Sequence, residues 1–217
     1  MPKIFKKARD PISSYSHFVG AALSLLGLIA MCIHLQMQED WEIKAAVSSI
    51  LFCVSLIALY CTSGIYHFSM SSEKVRLILR KLDHAMIYVL IAGSYAPLLL
   101  KLLPYPKNVT FTSVMWGIAI AGIFMKLCWI NAPRWLGTSL YILMGWAILV
   151  DLKALAAFPV PGILLLVAGG VLYTIGGVIY MIKRPNPTPA FGFHELFHLF
   201  VIGGSVCHYF MVFLYIA

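Results

Sequence analysis

Near its end the chain reads FGFHELFH over residues 191–198, placing His194 and His198 four positions apart with Glu195 between them. On a helix that spacing puts two imidazoles about 40° apart around the axis and one turn along it, so both can face one metal ion. The same letters, His-Glu-x-x-His, describe a zinc peptidase in which the glutamate is the general base. One such pair is common by chance. Other residues suited to chemistry are Ser63 and His67 in TSGIYHF, Asp83 and His84 in KLDHAMIYV, and His17 near the start. Imidazole nitrogens bind zinc, a carboxylate takes up a proton, and a hydroxyl supports a developing oxyanion. Copper, iron and nickel also accept such ligands.

Whether these residues meet depends on the elements carrying them. The chain has 217 residues, of which 61% are hydrophobic and 11% charged. Soluble domains carry roughly a quarter charged residues. Seven apolar stretches stand out, near 15–36, 44–67, 83–103, 109–130, 134–152, 161–182 and 193–216. Each is long enough to cross a hydrocarbon layer of about 30 Å. The expectation is an all-α, seven-transmembrane bundle forming a single domain over 1–217, after a short basic segment over 1–14 whose first twelve residues could form a surface helix. The first apolar run exceeds the core of a cleaved signal, so it is expected to remain as a span. Cys32, Cys53, Cys61, Cys128 and Cys207 all fall in apolar stretches and read as packing residues, without ligand-like spacing. The glycine pairs 169–170, 176–177 and 203–204 suit close helix packing.

The net charge of +8 is topological. With the amino terminus in the cytoplasm, twelve of the sixteen Lys and Arg residues fall on the inner side, among them Lys74, Arg76, Arg80, Lys81, Lys126 and Arg134. The positive-inside rule predicts that bias, so no nucleic-acid partner is needed. The carboxyl terminus is then outside, Phe68–Leu82 is a basic cytoplasmic link, and KRPNPTPAFG is a stiff connector. Trp129 and Trp135 mark the inner interface, with Trp41 and Tyr105 at the outer one.

This topology brings His17, Ser63, His67, Asp83, His84, His194, Glu195 and His198 into one slab beneath the inner surface, while His34 and His208 lie in the outer half. Each residue has an ordinary explanation singly: a packing histidine, a helix-start carboxylate, a serine bonded to its own helix. Together they need a purpose, because each ionisable group in a membrane costs about 2.5–3.5 kcal/mol. A third histidine at the depth of the pair, with a carboxylate nearby, predicts an open, catalytic type of zinc centre rather than a closed one. His17 and His84 are left as inner-layer residues, and His34 and His208 as interhelical hydrogen-bonding residues.

In this order, over seven spans, the motifs Ser63-x-x-x-His67, Leu82-Asp83 and His194-x-x-x-His198 resemble those of the bacterial hemolysin III proteins. That family belongs with the progestin and adipoQ receptors, which include the adiponectin receptors, and more distantly with the alkaline ceramidases. The resemblance implies a bacterial plasma-membrane bundle with zinc held by His67, His194 and His198. It implies that Asp83 holds and deprotonates the metal-bound water and that Ser63 stands beside it. It further implies membrane lipids as partners, with a fatty acid released from a ceramide-like amide. The family's first motif, Glu-x-x-Asn-x-x-x-His, is here Asp10-x-x-Ser13-x-x-x-His17, which leaves only the histidine unchanged.

Three other readings compete. An intramembrane peptidase would use Glu195 as base and Asp83 as third ligand, leaving His67 and Ser63 idle. A non-enzymatic, lipid-responsive regulator would use zinc to hold helices together. A cytolytic pore, suggested by the family's name, would need a polar stripe along a helix, and none of the seven stretches has one.

Overall fold

The computed structural model describes residues 8–39 and 42–217. The helices are α1 (Pro11–Met37), α2 (Ile43–Phe68), α3 (Glu73–Leu102), α4 (Lys107–Cys128), α5 (Arg134–Gly145), α6 (Leu152–Ala156), α7 (Val160–Ile182) and α8 (Phe193–Tyr215), with a 3₁₀ turn at Ala147–Asp151 between α5 and α6. Prolines punctuate the path. Pro11 opens α1, Pro106 and Pro133 immediately precede α4 and α5, and Pro159 and Pro161 bracket the start of α7. A proline there gives up no helical hydrogen bond.

Six helices (α1, α2, α3, α4, α7 and α8) are long and apolar enough to cross a membrane. Their outward faces carry Leu23, Leu26, Ile29, Leu164, Val171 and many similar exposed side chains. A water-facing surface would not sustain such a belt. Within the bundle α1 packs on α2 and α8, α7 on α8, and α2, α3 and α4 on one another in sequence. On α1 the buried residues Ser13, His17, Gly20, Ser24, Met31 and Leu35 form one stripe at helical spacing. The rest of α1 faces outward.

The fifth stretch, expected as one span over 134–152, is divided into α5, the 3₁₀ turn and the single-turn α6. The cause comes from α3. The Tyr95 hydroxyl donates to the Gly145 carbonyl at 2.8 Å and accepts from the Ile148 amide at 3.0 Å. A side chain inserted into the helical ladder in this way accounts for the break. Tyr95→Phe strands the buried Ile148 N–H, a loss of about 1–3 kcal/mol. Thermal denaturation in detergent should show it as a midpoint lower by several degrees.

Three other expectations change. Residues 73–82 are the first turns of α3 rather than a loop, leaving only four residues between α2 and α3. Their sequence, EKVRLILRKL, combines strong helix formers with charges, and helix propensity prevails over the loop-like charge density. Lys126, expected in an inner loop, is a buried residue in the last turn of α4. The basic segment expected over 1–14 gives way to helix at Pro11. The surface helix proposed for its start lies mostly outside the described residues, as does Trp41.

Candidate metal centre

The polar slab expected from sequence forms at the end of the bundle that holds the start of α1. α2 ends there with Ser63 and His67, α3 passes with Asp83 and His84, and α8 begins with His194, Glu195 and His198. His67 and His198 are buried at 3% and 1% exposure, and Ser63 and Asp83 are buried with them.

Among the described residues one group of side chains could hold a metal ion: His67, His194 and His198, each offering a nitrogen within 4.8 Å of the others. The Nε2 atoms of His67 and His194 stand 3.1 Å apart. On a tetrahedral zinc two ligand nitrogens, each at about 2.0–2.1 Å, stand about 3.4 Å apart. Closing the widest separation to that spacing takes at most about 1.4 Å, shared between two rings. The opposite ring atoms are engaged elsewhere. His67 Nδ1 meets Asp10 Oδ2 at 3.0 Å and His198 Nδ1 meets the Ser13 carbonyl at 3.3 Å. In each ring the bond at Nδ1 leaves Nε2 to carry a lone pair toward the cluster. Metal-binding histidines are held in this manner by a carboxylate or carbonyl behind the ring. The donor set suits a divalent transition metal, and three imidazoles leave a coordination position open.

Asp10 is a positioning residue that the sequence had left without a role. Backbone pairing holds it beside the end of α2, its N–H donating to the His67 carbonyl at 3.0 Å. Partial burial alone would raise its carboxyl. The bonds and charges of His67 and Arg9 outweigh that and hold it down to about 2, so it is ionised at neutral pH. Asp10→Ala should weaken metal binding by about 10–100-fold without changing stoichiometry at saturation. Competition against a chelator of known affinity measures it.

The rest of the first motif also reaches the cluster. The His17 ring stacks on His198 with centroids 3.6 Å apart. Ser13 Oγ donates to Glu195 Oε1 at 2.8 Å, and Glu195 Oε2 accepts from the Gly192 N–H at 2.9 Å. Residues 10, 13 and 17 share one helix face at i, i+3, i+7 spacing, the signal that could have joined them to the site. Glu195, with one oxygen accepting from the Gly192 N–H at the helix start and the other bonded to α1, is built as the start of α8. That is a poor arrangement for the general base of a peptidase.

Ser63 of α2 stands beside the Asp83 carboxyl of α3. Both line a cavity of about 420 Å³ that also takes in His17, His194 and His198. It descends between α3, α5, α7 and α8 past Leu90, Ile91 and Leu166 to Trp146 and His208. Such a volume is in the range of about 300–1,000 Å³ that holds a small organic ligand. His84 lines the cavity too. Of the outer histidines, His208 bonds across to the Leu166 carbonyl at 3.3 Å, whereas His34 bonds within its own helix to Gln38 at 3.1 Å.

Fold and site together define a polytopic helical membrane protein with a buried three-histidine cluster at one end of its bundle. The sequence matches the haemolysin-III related family over residues 5–209, and the chain belongs to that family. It is 36% identical to Hemolysin-3 of Bacillus cereus over 205 residues, covering 94% of this chain and 90% of that one. It is 34% identical to a Hemolysin-3 homolog of Bacillus subtilis (strain 168), covering 98% and 96%. A weaker likeness, 23% over 208 residues and covering 93% and 82%, links it to the human monocyte to macrophage differentiation factor, on the adiponectin-receptor-like side of the superfamily. These relatives agree with a multi-pass protein of the bacterial cell membrane.

Proposed function

We propose that His67, His194 and His198 hold zinc and that the chain is a zinc-dependent hydrolase of lipid amides of the ceramide type, adjusting the composition of the membrane it sits in. The observation carrying this reading is the cluster of three imidazole nitrogens at the edge of a cavity that His194 and His198 line together with Asp83 and Ser63, with room for an acyl chain. The excess of basic residues around that end supports a cytoplasmic position for it.

Zinc bound there supplies a positive centre that polarises an acyl carbonyl and acidifies water. The apolar walls hold the acyl chain and limit access of bulk water to the site. Asp83 takes the proton of the attacking water on a carboxylate oxygen and returns one to the amine as the C–N bond breaks. Ser63 orients that carboxylate, and its O–H is placed to stabilise negative charge on the acyl oxygen. Incubation of zinc-loaded protein with ceramides and other acyl amides tests the reading, with released fatty acid as the readout. Release by the wild type supports hydrolysis. A broad panel that yields none, with zinc bound throughout, refutes it.

A second reading has its own support. Asp10, Ser13 and His17 from α1 back the histidines of α2 and α8, so bound zinc would brace three helices. In that case the metal serves a lipid-responsive regulator, and inactivity on the amide panel is the expected result.

A further inference from the structure

Three cations line the same cavity: Arg80 of α3, Lys126 of α4 and Arg134 of α5. Lys126 is 4% exposed. Among the described residues no carboxylate stands within 4.0 Å of any of the three; the ion pairs formed elsewhere engage Arg9, His67, Arg76 and Lys107. The neighbouring Lys81 gives its ammonium to the Leu127 carbonyl, but Lys126 has only the Tyr141 ring, 5.8 Å from its Nζ, as a cation–π partner. A buried ammonium in a membrane helix without an anionic partner is costly.

The surroundings make room for that charge. Gly137 lies against it, and a methyl added there would come within 2.5 Å of Lys126 Nζ. Arg134 is held in place across the rings of Tyr180 and Phe193, at 4.6 and 5.5 Å, and one N–H donates to the Tyr180 carbonyl at 3.4 Å. A guanidinium has five N–H donors, so most of its donor capacity lies outside that bond. Asp83, the carboxylate that also lines the cavity, forms no ion pair with any of the three. The positive cluster therefore stands at one part of the cavity wall, and apolar side chains line the interior below it.

We propose that Arg80, Lys126 and Arg134 form a subsite for the anionic headgroup, phosphate or carboxylate, of a lipid whose acyl chain occupies the cavity. A neutral ceramide lacks that group, so the preferred ligand is an acidic amphiphile. The inference rests on the reading that the cavity takes a lipid. Binding to chelator-treated, metal-free protein separates its test from hydrolysis.

Three probes divide the contributions: lysophosphatidic acid has chain and phosphate, monoacylglycerol has the chain alone, and glycerol 3-phosphate has the head alone. In a neutral detergent, lysophosphatidic acid should bind about tenfold or more tighter than either of the others, the scale of one hydrogen bond to a charged group. Lys126→Met and Arg134→Gln should each remove most of that advantage. Unchanged monoacylglycerol binding in both variants reports an intact cavity. Equal binding of lysophosphatidic acid and monoacylglycerol by the wild type overturns the proposal, as does an advantage that survives both substitutions. Glycerol 3-phosphate binding as tightly as lysophosphatidic acid also overturns it, since the site would then be one for small anions. If the expected pattern holds while no lipid amide is hydrolysed, the subsite stands and the hydrolase reading fails.

Discussion

Asp83→Asn is expected to lower fatty-acid release by about 10²–10⁴-fold, the usual contribution of a positioned general base. Asparagine nearly matches aspartate in shape and its carbonyl can still accept from a neighbouring hydroxyl. Asp83 lies outside the three-histidine group, so the variant should retain its zinc. The split between lost turnover and kept metal identifies a base, because a merely structural residue would not separate the two. Equal turnover in variant and wild type would remove Asp83 from the chemistry.

Withdrawal of metal should have the second large effect. A ligand that binds only the folded chain, present at about a thousandfold its dissociation constant, adds about 4 kcal/mol to stability. For a chain of this size each kcal/mol moves the thermal midpoint by about 2–4 °C. Chelation should therefore lower the midpoint of the purified protein by roughly 10 °C. His198→Ala should begin at a lower midpoint and show no response to chelator. His198 is buried, stacked on His17 and bonded to the Ser13 carbonyl, so its loss removes a proposed ligand and a contact between α1 and α8 together. A midpoint insensitive to chelator in the wild type would mean that the histidines fold without a metal.

The parts of this account readable from sequence are those set by local rules. Runs of about twenty apolar residues fixed the spans, and the four-residue spacing of His194 and His198 fixed their shared face. The links between helices then brought the end of α2 with His67, Asp83 of α3 and the start of α8 to one level. Features needing a distant partner were not legible. The break after Gly145 depends on a hydroxyl from α3, which no feature of residues 134–152 announces. Asp10 is one methylene shorter than the family's glutamate, and the backbone pairing to the end of α2, which no local rule announces, brings it to His67. Lys126 read as a boundary charge, and its burial becomes visible only when α5 brings Gly137 against it.

The most direct test of the central claim is elemental analysis of the purified protein beside His67→Ala, His194→Ala and His198→Ala. Close to one zinc per chain in the wild type, falling toward zero in each variant, is the predicted result. Zinc that stays at wild-type levels when His67 is removed, or a wild type that takes up no metal at all, would contradict it.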